Sequence, residues 1–206
     1  MTHTDEVDAI PDDVDVTRVA DDALERRARE GQALVSESRA VALAARAMAA
    51  RFQAGGRLLV LGAGEADVQH VAVEFLHPVI VGKRALPALS LAGDVAGTED
   101  MGDRLSRQIF LLARPGDIAL GILGDPRDRH GIRAGLDEAR RRGLLTVLLR
   151  GVEAGATGVT ADHELGGTSG DPLLARELDV TVYHLLWELV HVFLEQSTRV
   201  GPGPVA

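Results

Sequence analysis

The chain of 206 residues contains no cysteine, which excludes disulfides and thiolate metal sites and leaves the redox compartment open. Aromatic residues make up only 3% of it, so the core must be built from leucine, valine, isoleucine and alanine. The same scarcity argues against nucleic-acid binding by base stacking. Positive charge is also in deficit: the formal net charge of -9 opposes nonspecific attraction to DNA or anionic lipid. A phosphorylated ligand would therefore depend on local backbone amides, hydroxyls or arginines. No apolar run approaches the roughly 18–20 residues needed to span a bilayer. The first residues, "MTHTDEVDAIPDDVDV", lack the basic-then-apolar pattern of a secretory signal. These absences predict a cytoplasmic protein with no membrane contact and no direct nucleic-acid binding.

What is present is 46% hydrophobic and 26% charged residues, a balance typical of a globular chain of this length. Residues 1–14 read as an acidic tail and 198–206 ("RVGPGPVA" from Arg199) as a second, leaving one domain over 15–197. Between Thr17 and Phe52 an Ala/Arg/Glu-rich stretch carries Leu34, Val35, Val41 and Leu43 at helical spacing. It predicts one long helix, or two joined near Gly31. Short apolar strands then alternate with helices: "RLLVLG", "PALSLAGD", "DIALGIL", "LLTVLL" and "ADHEL". This order predicts an α/β fold, a three-layer αβα sandwich around a five-stranded parallel sheet. Ligands of such sheets gather where strands turn into helices, here at 62–66, 93–98 and 124–130.

Several candidate residues stand out. In the helix predicted over 65–77, Val68, Val71, Ala72, Phe75 and Leu76 recur at the spacing of a core-facing stripe. Asp67, His70 and Glu74 fall on another face, one above the next. A neutral histidine and a carboxylate so placed can share a divalent metal or pass a proton, or can simply be a solvated polar pair. In the closing helix, predicted over about 173–196, Leu178, Val182, Leu185, Leu189 and Val192 form an apolar stripe. His184, Glu188 and His191 share a different face. "GAGEA", with Gly62 and Gly64, presents backbone amides at a helix start, but it lacks a third glycine and adds Glu65, so no nucleotide cofactor is expected. "GDPRDRHG" offers Arg127, Arg129 and His130 as an anion clamp, balanced by Asp125 and Asp128 in the same loop.

The order of these segments resembles the sugar isomerase domain, in its phosphoheptose (sedoheptulose 7-phosphate) isomerase branch. The stretches that carry the resemblance are "RLLVLGAGEADVQHVAVEFLHP", "LPALSLAGDVAG", "LSRQIFLLARPGDIALGI", "LDEARRRGLLTVLL" and "VYHLLWELV". It implies an active site in which a histidine and a glutamate of the first helix join a glutamine and a histidine of the last, where zinc can bind. On this chain the matching positions are His70, Glu74, Arg176 and His184. Glu74 and His184 would move the proton between adjacent sugar carbons through an enediol. His70, Glu74 and His184 would hold the metal. Asp94 matches an aspartate near the substrate.

The phosphate side departs from the pattern. The first loop is two residues shorter than in the family and ends without the phosphate-binding serine. The loop "LGDPRDRHG" has no hydroxyl, and Pro78 stands where the family has an arginine. Arg176, in place of the glutamine, would oppose a metal at that corner. Two functions follow from the resemblance. One is a diverged module that binds a carbohydrate derivative or a protein partner, as replication-initiator-associating proteins of this fold do. The other is an active isomerase whose sugar-phosphate-like substrate is held by Arg127, Arg129 or His130, with Gly62, Gly64 and Asp94 nearby. The resemblance also implies a homo-oligomer, a tetramer or dimer, assembled through the first and last helices.

Overall fold

The structure is a computed structural model that describes residues 15–78, 82–92, 99–151, 158–166 and 169–199. It opens with two helices, α1 (Val16–Ala33) and α2 (Ser38–Gln53), joined by a tight 3-10 turn at Leu34–Glu37. The break expected near Gly31 thus falls three residues later, and Leu34 in the turn is buried while α1 buries nothing. The Asp15 side chain caps α1 by accepting from the Arg18 amide at 3.0 Å.

The rest alternates strand and helix. β1 (Leu58–Gly62), α3 (Glu65–Leu76), β2 (Ala88–Ala92), α4 (Glu99–Leu112), β3 (Ile118–Ile122), α5 (Arg129–Arg141), β4 (Leu145–Leu149), β5 (His163–Leu165) and α6 (Pro172–Arg199) follow in that order. All strand pairs are parallel, in spatial order β2-β1-β3-β4-β5. Every residue of β1, β3 and β4 is buried, as expected of strands covered on both faces. Side chains alternate across the sheet. Leu58 and Val60 of β1 join the core under α2, α3 and α6, whereas Leu59 and Leu61 join the core under α4 and α5. The expected three layers are therefore present. Among the described residues, no helix is long and apolar enough to cross a membrane.

Chain order reverses between β1 and β3, and at that switch point the strand ends part to leave a crevice. Gly62 fixes how closely α3 approaches this crevice. A Cβ built there would lie 2.6 Å from Val68 Cγ1, a stiff β-branched neighbour. Gly62→Ala is therefore expected to lower stability by about 1–3 kcal/mol through overpacking, read as a shift in the urea midpoint.

Candidate functional site

α3 buries Val68, Val71, Ala72 and Phe75 completely or nearly so, and this locks the rotation of the helix. With that face inward, Asp67, His70 and Glu74 point along α6, which returns past α3 from the far end of the chain. Three polar contacts join the two helices. Arg176 donates from Nε and a terminal nitrogen to Asp67 Oδ1 at 2.8 and 2.6 Å. Tyr183 Oη lies 2.7 Å from His70 Nδ1. Glu74 Oε1 lies 3.8 Å from His184 Nε2 and 3.4 Å from His70 Nε2. One ligating atom each from His70, Glu74 and His184 falls within 4.8 Å of the others.

The cluster is graded in exposure. The His70 and His184 side chains are each 46% exposed, and Glu74 only 17%. Tyr183 is buried at 3%. Burial raises the Tyr183 hydroxyl well above the ordinary tyrosine range, and the carboxylates of Asp67 and Glu74 push in the same direction. The phenol therefore stays neutral at any physiological pH, and its oxygen can accept the His70 Nδ1–H. That tautomer leaves the Nε2 lone pair facing Glu74, the arrangement in which a histidine binds a metal. Removing such an outer partner typically weakens metal affinity by about 10–100-fold. Tyr183→Phe is accordingly expected to weaken by about that factor the affinity of this cluster for an added divalent ion, measured by competition with a chromophoric chelator.

A cavity of about 350 Å³ opens beside this cluster, at the switch point. Its walls include Gly64 after β1, Ile122 and Gly124 at the end of β3, Gly151 after β4, and Asp179 and Tyr183 of α6. Tyr183 thus touches both the cavity and His70.

The other residues singled out in the sequence are scattered. Gly64 lines the cavity, while Gly62 is packed against Val68 below it. Arg127 folds back on its own loop, donating to both oxygens of Asp125 at 2.9 and 2.6 Å, and its amide also reaches Asp125 at 2.8 Å. These bonds hold the Asp125 carboxyl down at about 2, with the Arg127 side chain the main cause. The His130 ring lies over Gly102 of α4. Arg127, Arg129 and His130 are not among the residues that line the cavity; Asp128, from the same loop, is. Asp94 lies outside the described residues. Arg176 is engaged by Asp67, so its charge is answered there. The expected polar face of α6 is corrected at one position. His184 and Glu188 are exposed, but His191 is buried, its ring nitrogens meeting the carbonyls of Trp187 at 2.8 Å and Arg84 at 3.0 Å. Of the expected apolar stripe, Leu178 and Val182 are buried and Leu189 packs half-buried against the core, but Leu185 and Val192 are each 38% exposed, and Leu186 and Val190 fill the core side in their place.

Tyr183 and Asp179 are the site residues that sequence reasoning missed. A tyrosine beside His184 was a usable signal, because it is the chain's single tyrosine and sits one position from a candidate ligand.

Comparison with known proteins now bears on this geometry. A phosphoheptose isomerase from Pelodictyon phaeoclathratiforme is 36% identical over 181 residues, covering 82% of each chain. One from Desulfovibrio desulfuricans is 33% identical over 158 residues, covering 73% of this chain and 75% of that protein. The chain belongs to the phosphoheptose isomerase family. The solved phosphoheptose isomerase of Francisella tularensis superposes with a TM-score of 0.72 at 25% identity, covering 87% of this chain and 100% of that one. No family model matches the chain. In this member of the phosphoheptose isomerase family, His70 and Glu74 of α3 and His184 of α6 lie in one cluster, and Arg176 is paired with Asp67.

Proposed function

We propose that this chain interconverts an aldose and a ketose, with Glu74 and His184 moving the proton between adjacent carbons. The observation that carries this reading is the convergence of His70, Glu74 and His184 from segments over a hundred residues apart, with His70 held by a buried tyrosine. In such a reaction a base removes the proton from the carbon beside the carbonyl. The freed electron pair forms an enediol double bond as the carbonyl oxygen gains a proton; the other hydroxyl then gives up its proton to become the new carbonyl while the former carbonyl carbon is protonated, which completes the exchange. Glu74, poorly exposed and 3.8 Å from His184, suits the first step, and His184 suits proton return.

The same three side chains fit zinc. Two imidazoles and a carboxylate are its usual non-thiolate ligands, and three protein ligands leave a position for substrate. Tyr183 provides the outer-sphere partner that such a histidine needs. Arg176 is drawn toward Asp67, which answers its charge beside the cluster. Zinc bound there would polarise the sugar carbonyl.

A second reading, a module that binds a carbohydrate derivative without turning it over, is favoured by a separate observation. Arg127 is committed to Asp125 and Arg176 to Asp67, so neither arginine is left to anchor a phosphate on which positioning would depend. Exposed Leu24, Leu43 and Leu185 support assembly into a homo-oligomer through α1, α2 and α6.

The deciding experiment combines metal analysis with solvent exchange. Protein purified without chelator is expected to carry about one zinc per chain, lost in His184→Ala. It is also expected to wash solvent deuterium into sedoheptulose or its 7-phosphate. Retention of zinc without deuterium uptake would select the binding module. Neither zinc nor uptake would remove the isomerase reading.

A further inference from the structure

Across the sheet from the cluster, α4 leaves apolar side chains in solvent. Its inner face is fixed by Leu105 and Ile109, which are fully buried. Its outer face carries Arg107, Phe110 and Leu111, three and four residues apart and so side by side on the helix. Phe110 is 58% exposed, Leu111 70% and Leu112 45%. The chain has four phenylalanines. Phe52 and Phe75 are buried and Phe193 packs half-buried against the core, so Phe110 alone stands in water. Its ring is nevertheless held. The Arg142 guanidinium lies over it at 5.0 Å and is itself tied to the Ala113 carbonyl at 3.3 Å.

Around this ring the sign of charge is opposite to that of the whole chain, whose formal net charge is -9. Arg107 of α4 and Arg141 and Arg142 at the end of α5 surround it, and Arg114 follows where α4 stops. Arg141 holds Glu138 at 2.5 Å. The side chains of Arg107 and Arg114 have no carboxylate partner among the described residues. Beside the ring, a shallow groove of about 300 Å³ separates the two helices, with Ser106 and Arg107 on one wall, Glu138 and Arg141 on the other, and Asp103 at one end. A braced aromatic ring among arginines, next to a concave surface, has the composition of a protein-binding hot spot.

We propose that the outer face of α4, with the groove toward α5, docks a segment of a partner protein that carries carboxylates on either side of large apolar side chains. The apolar groups cover Phe110 and Leu111, and the carboxylates meet Arg107 and Arg114, the cations with no partner of their own. An anionic lipid surface offers the same sign of charge. It would, however, confront the whole chain and its net charge of -9, whereas a short acidic segment meets only the local arginines, within a screening length of them. Because α4 and α5 cover the opposite face of the sheet from α3 and α6, docking leaves the His70, Glu74 and His184 cluster open. The proposal stands independently of the isomerase reading.

The test uses the full chain and synthetic helix-forming peptides of about 15 residues. One carries leucines three and four apart with glutamates between them, a second has lysines for the glutamates, and a third has alanines for the leucines. Binding is followed by NMR shift changes in the isotope-labelled protein. The leucine–glutamate peptide is expected to bind with a Kd of about 10–100 µM, with shift changes confined to α4 and α5, and the other two at least about tenfold more weakly. Phe110→Ser and Arg107→Glu should each weaken it by about tenfold or more while leaving the metal affinity of the distant cluster as in wild type. Arg107 is exposed, so Arg107→Glu decides the matter should Phe110→Ser not fold. No binding of the leucine–glutamate peptide at about 1 mM, equal binding of the lysine peptide, or indifference to both substitutions would overturn the proposal. Capture by vesicles with about 30% phosphatidylserine, lost in Phe110→Ser, would overturn it in favour of a lipid surface. A fall in sedimenting mass on Phe110→Ser would overturn it in favour of a second copy of this chain.

Discussion

Glu74→Gln is expected to reduce aldose–ketose interconversion by about 10²–10⁴-fold, the usual contribution of a positioned general base. The replacement is nearly isosteric, and Glu74 stands at the edge of α3 with its apolar neighbours Val71 and Phe75 untouched, so the fold should persist. The amide cannot take a proton from carbon, and it is a poorer zinc ligand than a carboxylate. The two losses are separable. Deuterium uptake from solvent reports proton transfer alone, and elemental analysis reports the metal. If Glu74→Gln retains zinc and loses deuterium uptake, the carboxylate is the base. Undiminished uptake in Glu74→Gln would rule Glu74 out of proton transfer. His184→Ala should likewise abolish uptake, since the α6 histidine lies 3.8 Å from the same oxygen.

The second large effect concerns stability. Burial raises Asp179 from 3.8 to about 7, so between those values the folded chain holds a proton that the unfolded chain releases. The associated stability is fully present below pH 3.8 and is lost as pH rises through about 7. A shift of that size corresponds to roughly 4 kcal/mol at most. Asp179→Asn stays neutral throughout and is therefore expected to be more stable than wild type above pH 7, by up to about that amount, and no more stable near pH 4. Urea unfolding of both proteins at pH 4, 6 and 8 checks this, because every other titrating group cancels in the comparison. Equal stabilities at pH 8 would mean that the Asp179 carboxylate is compensated inside the cavity. The test is independent of ligand binding, so it examines the burial of Asp179 without assuming a substrate. A gain at pH 8 from removing one charge would be in keeping with a site that trades stability for function.

These two predictions draw on different layers of information. His70, Glu74 and the inward stripe of Val68, Val71, Ala72 and Phe75 are legible in the sequence because helix geometry relates residues three and four apart. The strands are legible as well, since five short apolar runs punctuated by turns have few other ways to be buried. The likeness to the phosphoheptose isomerases adds His184, which no local pattern would connect to His70.

Other features are out of reach of pattern reading for stated reasons. Asp179, within "RELDV", looks like any surface acid of a charged helix, but α6 turns it inward beside Leu178 and Val182. His191 reads as a polar-face partner of His184 and is instead buried, its ring fixed between two carbonyls. Arg127 reads as an anion clamp, yet Asp125 two residues earlier captures it first. In each case the rotation of a long helix or the closure of a loop makes the decision, and a period of 3.6 residues leaves enough latitude over the length of α6 to misassign a face.

By itself, then, the sequence determined the α/β layering and the face that carries His70 and Glu74, because those depend on local periodicity, while its likeness to the phosphoheptose isomerases gave the family and pointed to His184. Only the tertiary structure decided that Tyr183 braces His70, that Asp67 claims Arg176, and that the cavity is lined by carboxylates with no uncommitted cation among its described residues. Those outcomes depend on how α6 is rotated against α3 and the sheet, and that rotation is set by packing between segments far apart in the chain.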